Sequence, residues 1–160
     1  MGTFTKILTG GVIGAGVIAA FSYFSRMSRA KVQLEVIPSA FIHSLSWDGL
    51  TIKVNAILKN PTAASFKVKF PFIKISYKDI ALGSSQVIDK DITIPAYGQV
   101  VIESMMVQIN TISFVSAAYD VIKALNNKEP VRVVVQIITT IDLGWSKIPY
   151  ENKMEVTLKK

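Results

Sequence analysis

The sequence predicts a mainly β protein: an antiparallel β-sandwich of about seven strands with one helix, preceded by an N-terminal transmembrane-like helix. Three observations predict this fold. Most of the chain after residue 30 alternates apolar and polar residues, turn residues break the alternation at short intervals, and one segment has helical spacing. Strands do not alternate with helices, which disfavours a doubly wound α/β fold.

The predicted N-terminal helix covers residues 7–24, which read ILTGGVIGAGVIAAFSYF and carry no charge between Lys6 and Arg26. As a helix this run would be about 27 Å long, against a hydrocarbon core of about 30 Å. Lys6 and Arg26 would extend to the headgroups and Tyr23 would lie at the interface. We therefore predict a membrane anchor with its basic flank over residues 1–30 and a sandwich domain over residues 31–160.

Three alternatives remain open for this run. A cleaved signal peptide needs a small-x-small site, and residues 22–26 (SYFSR) provide a poor one. Burial inside a protein assembly is the second alternative, because glycines weaken an isolated helix. The third is self-association, since Gly10 and Gly14 have the spacing of a helix-packing motif and Ala15 extends their small-residue face.

The basic residues around the run predict its orientation. Arg26, Arg29 and Lys31 follow it, whereas Lys6 and the free amine precede it. The positive-inside rule then places the domain on the cytoplasmic side, or on the interior side of an enveloped particle.

Alternation marks nine segments of the sandwich domain, which we count as seven to eight strands because Pro71 interrupts one run. The alternating segments are residues 31–37, 50–58, 66–70, 73–77, 80–82, 89–94, 100–109, 131–141 and 153–159. Pro38 is expected to stop the first strand, and Asn60-Pro61 to end the second. Residues 142–152 are predicted to be a loop, because Gly144 and Pro149 are typical loop residues.

Residues 111–126 predict the helix of the domain. Their apolar residues have helical spacing: Ile112, Val115, Ala118, Tyr119, Ile122 and Leu125. The charged residues of this segment are Asp120 and Lys123. Such low charge predicts that the helix is covered on more than one side, by the sandwich or by another chain.

The order of motifs between residues 50 and 109 resembles the group 2 late embryogenesis abundant (LEA) family, also described as the water stress and hypersensitive response domain. Asn60-Pro61 is followed by an apolar alternation, then by residues 80–83 (IALG), residues 94–96 (IPA) with Gly98, and a valine-rich strand from Val100. The alternation consists of Phe66, Phe70, Ile75 and Tyr77. We interpret the chain as a bacterial or phage-type member.

The resemblance implies a seven-stranded, Ig- or fibronectin-like sandwich with a helix on one side. It also implies an N-terminal membrane anchor, no enzymatic activity, and a role in binding, protecting or organising other macromolecules and membranes. It fixes no ligand and gives Asn60 no functional role.

Composition limits the function classes. Half of the residues are hydrophobic and 18% are charged, below the average of about 25%, which excludes disorder for most of the chain. The net charge is +7, but residues 31–160 hold 15 basic and 11 acidic residues, a net of +4. Specific nucleic-acid binding is therefore not expected. The absence of cysteine excludes disulfides and thiolate metal sites.

The residues indicate no catalytic, cofactor-binding or metal site, and we predict that the protein is not an enzyme. His43 is the one histidine of the sequence and lies among apolar residues, so a loop or partly packed position is favoured over catalysis. Asp89 and Asp91 would share a strand face, but no third acid accompanies them.

Three aromatic residues in predicted loops are candidate partner contacts: Trp47, Tyr97 and Trp145. They would form a contact surface for a protein partner or for the bilayer interface, or they would anchor the ends of their loops in the core.

The function predicted from the sequence is that of a membrane-anchored structural or interaction protein, with the lipid bilayer and a protein partner or a second copy as partners. One alternative is a structural component of a virion or other large assembly, whose N-terminal helix inserts in an internal membrane or a protein vertex. Another is a carrier of a lipid or apolar ligand held between the sheets. The expected location is a membrane, with a virion membrane as the alternative.

Overall fold

Two antiparallel β-sheets pack face to face in the computed structural model, which describes residues 33–46, 49–110 and 115–160. The N-terminal prediction and one loop position lie outside these residues: Gly10, Gly14, Ala15, Tyr23, Arg26 and Trp47. Within the three described ranges, no helix has the length and apolarity needed to cross a bilayer.

The described elements are β1 (Glu35–Ser46), β2 (Gly49–Lys59), β3 (Phe66–Lys69), β4 (Phe72–Tyr77), β5 (Ile80–Ser84), β6 (Asp91–Ile94), β7 (Gln99–Asn110), α1 (Val115–Asn126), β8 (Arg132–Asp142) and β9 (Lys147–Thr157). One sheet has the strand order β1-β2-β7. The other has the order β5-β4-β8-β3-β6, and β9 pairs with β8. The predicted mainly β sandwich with one helix is confirmed for the described part of the chain.

The described residues form nine strands rather than about seven, because two long strands are each broken in the middle. β3 and β4 pair one after the other with the same side of β8. Pro71 separates them, since it has no N–H to give to the ladder. The returning chain is broken in the same way, with β5 beside β4 and β6 beside β3. The nine strands therefore occupy seven positions, three in one sheet and four in the other.

The core lies between the sheets and follows the predicted alternation. In β2 every second residue from Leu50 to Leu58 is at most 2% exposed. Ile73 and Ile137 of the other sheet are equally buried. Burial of each such side chain contributes about 1.5–3 kcal/mol, so the paired apolar faces hold the two sheets together.

The prediction that Pro38 stops the first strand is wrong, since β1 continues to Ser46. β1 is the outer strand of its sheet. The N–H of Ile42 and the carbonyl of Ala40 point outward, to Lys159, rather than to β2. Because alternate residues direct their backbone groups to the same side, the nitrogen of Pro38 also faces outward, where no bond to β2 is lost.

The predicted loop over residues 142–152 is also wrong, because β8 and β9 form a long hairpin with a turn at residues 143–146. Asp142 Oδ1 accepts a 2.7 Å hydrogen bond from the N–H of Gly144, whose φ of 83° favours glycine. Pro149 is tolerated because β9 is an outer strand. Met154, an apolar residue of the alternating segment 153–159, is 38% exposed.

The helix ends at Asn126 as predicted, but the buried face is displaced from the predicted one. Ala117, Ala118, Val121 and Leu125 are buried, whereas Tyr119 is 62% exposed. The exposed face shows that the sandwich covers α1 on one side only. Residues 111–114, where the predicted helix begins, lie outside the described residues.

Gly83 lies where the two sheets touch at one corner. A Cβ atom at this position would be 2.7 Å from the carbonyl oxygen of Gln108 and 3.3 Å from a methyl carbon of Val107. Glycine therefore lets β5 of the larger sheet approach the backbone of β7 in the smaller one.

We predict that Gly83→Ala lowers the free energy of unfolding by about 1–3 kcal/mol, because the added methyl group forces β5 away from β7. Ser84→Ala, an exposed change in the same strand, is the control and should stay within about 0.5 kcal/mol. Urea denaturation followed by circular dichroism measures both. Equal stability of the two variants would contradict the role of the close approach.

Candidate functional site

One end of the sandwich collects the places where the chain crosses between the sheets. β2 continues into β3 through residues 60–65, and β6 continues into β7 through residues 95–98. The turn at residues 143–146 lies beside them, because Lys67 at the start of β3 pairs with Asp142. We call these three segments, together with the start of β1, the crossover end.

Asn60 joins the two crossings. Its side-chain amide donates to the carbonyl oxygens of Ala64 (2.8 Å) and Pro95 (2.9 Å). Its Oδ1 accepts from the backbone N–H (3.0 Å) and the hydroxyl (2.6 Å) of Thr62. Asn60 is 2% exposed and has its donors and acceptor satisfied, which makes it a structural residue. Sequence reasoning predicted that the strand ends and turns here, but it missed the bonds to the second crossing.

Tyr97 projects from the second crossing. Its backbone N–H donates to the carbonyl of Thr62 at 2.9 Å, and the N–H of Gly98 donates to the carbonyl of Pro95 at 3.1 Å. The φ angle of Tyr97 is 52°, a left-handed conformation that costs a bulky residue on the order of 1 kcal/mol. Its ring is 75% exposed, so packing offsets little of that cost.

The structure brings Tyr97 and Trp145 to the same end of the sandwich. Trp145 lies in the β8–β9 turn and is 58% exposed. Both residues are more than half exposed at this end. Trp47 lies outside the described residues, and its flanking pair, Ser46 and Gly49, is at the opposite end.

A shallow groove at the crossover end opens beside Tyr97 and has a volume of about 410 Å³. It is lined by the paired ends of β1, β2 and β7 and by the Asn60 segment. Lys59 Nζ is 3.9 Å from Glu35 Oε2 at its rim. Both side chains are well exposed, so this pair contributes little to stability.

The start of β1 is fixed to the same end by Tyr150 of β9. The Tyr150 hydroxyl donates to the carbonyl of Leu34 at 3.0 Å, and burial of the ring raises the pKa of this hydroxyl. The point at which residues 1–32 join the described sandwich is thereby held in place. Sequence reasoning placed Tyr150 in a loop and missed this contact.

The carboxylates of Asp89 and Asp91 both form ion pairs with one lysine. Lys69 Nζ is 2.8 Å from a carboxylate oxygen of each. These hydrogen bonds raise the pKa of Lys69 and lower that of Asp91. Among the described residues no group of three or more histidine, cysteine or acidic residues forms a metal-binding cluster.

Comparisons with known proteins support the fold. No family model and no curated protein matches the chain. A solution structure of an Arabidopsis thaliana protein aligns with a TM-score of 0.50 and 16% identity, covering 76% of this chain and 79% of that one. This likeness supports a shared β fold and nothing finer.

Two other solved structures are also similar. A crystal structure of a protein from Archaeoglobus fulgidus has a TM-score of 0.48 and 17% identity, covering 80% of this chain and 99% of that one. A solution structure assigned provisionally to the LEA proteins has a TM-score of 0.35 and 15% identity, covering 98% and 88%. A bacterial or phage-type origin has no support in these comparisons.

We predict that Asn60→Ala lowers the free energy of unfolding by about 2–4 kcal/mol, because it leaves buried carbonyls and the Thr62 hydroxyl short of partners. Asn127→Ala, a change at an exposed asparagine, is the control and should have little effect. Chemical denaturation measures both. An Asn60→Ala protein as stable as the control would show that the two crossings hold without the amide.

Asn60→Asp should also destabilise the protein at pH 7, because a carboxylate oxygen would replace the amide that faces two carbonyl oxygens. Lowering the pH towards about 4 should reduce the difference from wild type, since a protonated carboxyl regains one donor and the folded variant takes up that proton more readily than the unfolded chain. Denaturation curves across this range measure the difference. If the stability difference between Asn60→Asp and wild type grew as the pH fell, the two carbonyl oxygens would not be the partners of the Asn60 amide.

Proposed function

We propose that the protein is a non-enzymatic structural or interaction protein whose LEA-type β-sandwich is anchored to a membrane by its N-terminal segment. The single observation that carries the anchor is the uncharged run of residues 7–24 between Lys6 and Arg26. The β-sandwich and the motif order around Asn60-Pro61 support the LEA-type domain. The basic residues after the run support a domain on the cytoplasmic side.

The polar groups of the described residues support a non-catalytic role. Asn60 and Thr62 are bonded to each other and to two turns. Asp89 and Asp91 share Lys69. His43 is exposed at an irregularity of β1, where the register shifts between Ile42 and Ser44. These contacts are those of structural residues, and an enzyme would need a group left ready to act on a substrate.

The carrier alternative has less support. The space between the sheets is filled by the side chains of the core, among them Ile52, Ile75 and Ile137. The grooves found on the described surface are open rather than enclosed. A lipid carrier that used the gap between the sheets would need this core to separate.

The anchor is tested by adding charge to the apolar run of the full-length protein. We predict that the double variant Val12→Asp, Val17→Asp is released from membranes by a carbonate wash, whereas wild type stays in the pellet. Each aspartate near the centre of the helix costs about 2.5–3.5 kcal/mol of insertion energy.

The control is Val87→Asp, Ile88→Asp, which adds the same two charges at exposed apolar residues of the sandwich. This protein should stay in the pellet. Release of wild type by the wash, or retention of the Val12→Asp, Val17→Asp protein, would refute the anchor.

A further inference from the structure

The proposed anchor is tied to one particular end of the sandwich. The described chain starts at Gln33, beside the Leu34 carbonyl that Tyr150 holds. Nine peptide units separate Phe24, the last residue of the apolar run, from Gln33. They span at most about 30 Å when fully extended. If residues 7–24 cross a bilayer, the start of β1 at the crossover end therefore lies within about 30 Å of its surface.

The crossover end presents the two residue types that are enriched at bilayer interfaces. Tyr97 and Trp145 are 75% and 58% exposed, and they come from turns almost fifty residues apart in the sequence. An aromatic ring with one polar atom suits the headgroup region, where its body meets acyl chains and its polar atom meets water.

The backbone of Tyr97 gives a second, independent reason. The left-handed conformation at this position would suit glycine or asparagine, yet the residue is a tyrosine with an accessible ring. The bond from its N–H to Thr62 holds the turn in this form. The turn therefore keeps the accessible side chain of Tyr97 at the surface of the crossover end.

The charges at this end agree with a lipid surface. Five charged residues of the described chain lie at the crossover end, three lysines and two acids: Lys59, Lys67, Lys147, Glu35 and Asp142. The segment that precedes them adds Arg26, Arg29 and Lys31. The excess of basic residues favours anionic headgroups.

We propose that the crossover end lies on the bilayer interface, with the rings of Tyr97 and Trp145 at headgroup level. This inference rests on the proposed anchor and goes beyond it, because an anchored domain need not touch the membrane. The sandwich then stands with its strands pointing away from the bilayer.

The two tryptophans of the sequence give the test its own control. Trp145 lies at the crossover end, and the residues flanking Trp47 lie at the other end of β1 and β2. Strands of 11 or 12 residues separate the two ends by about 35 Å.

The full-length variants Trp47→Phe and Trp145→Phe each leave one tryptophan to report its position. Each is reconstituted into vesicles of phosphatidylcholine and phosphatidylglycerol, with or without phosphatidylcholine brominated near the headgroup end of its acyl chains. Brominated lipid should quench the fluorescence of Trp145 at least about three times as strongly as that of Trp47. Quenching needs near contact between bromine and the ring, and the two ends are about 35 Å apart. Equal quenching, or stronger quenching of Trp47, would overturn the proposal.

Carbonate extraction of the same vesicles separates the two proposals. If the protein resists extraction while neither tryptophan is quenched, the anchor is supported and contact of the crossover end with the bilayer is refuted. The crossover end would then be accessible to a protein partner. Protein that is extracted would refute both.

Tyr97→Asn, made in the Trp47→Phe protein, tests the tyrosine itself. Asparagine tolerates the left-handed conformation, so the turn should persist while quenching of Trp145 falls by about half. Tyr119→Asn, at an exposed tyrosine of α1, is the matched control and should leave the quenching unchanged. If Tyr97→Asn behaves like this control, Tyr97 is not part of the membrane contact.

Discussion

The buried side chain of Asn60 is the interaction on which the architecture depends most. The chain passes between the sheets twice at the crossover end, from β2 to β3 and from β6 to β7. The amide bonds both crossings at once, through Ala64 on its own turn and Pro95 on the other. A buried amide without these partners would destabilise the folded state more than an apolar residue would. The bonds therefore specify how the two crossings meet. The orientation of Tyr97 follows, because its turn is one of the two that are joined.

The larger sheet shows how four strand positions accommodate six strands. Pro71 breaks the outgoing strand, and residues 85–90 leave the ladder opposite it. Bonds outside the ladder bridge the gap: Ser85 N–H donates to Ile73, and Phe70 N–H donates to Lys90. Lys69 then holds Asp89 and Asp91 across the same break. The broken strand thus pairs with β8 on both sides of the proline, with the register shifted by one residue.

Alternation predicted the strands that are buried between neighbours, and it failed at two of the outer strands. β2 and β8 lie inside their sheets, so their inward residues are apolar apart from Thr139 of β8, and the pattern was plain. β1 and β9 are outer strands, where Pro38 and Pro149 cost no ladder bond and were mistaken for strand ends or loops. The meeting of Tyr97 with Trp145 depends on pairing between distant strands. No local pattern contains that information, although the exposed aromatic types had already marked both residues as candidates.

If the crossover end contacts the bilayer, its rigid turns limit the orientation of the whole domain. The turn bearing Tyr97 is held by the Tyr97–Thr62 and Gly98–Pro95 backbone bonds, and the turn bearing Trp145 closes the long β8–β9 hairpin, so both turns have fixed places at this end. Two fixed points and the chain joined at Leu34 define a plane, and a domain held at three points cannot tilt freely over the bilayer. The opposite end of the sandwich and the exposed Tyr119 of α1 would then face the surrounding solution. A protein partner would bind those surfaces, whereas Tyr97 and Trp145 would be in contact with lipid.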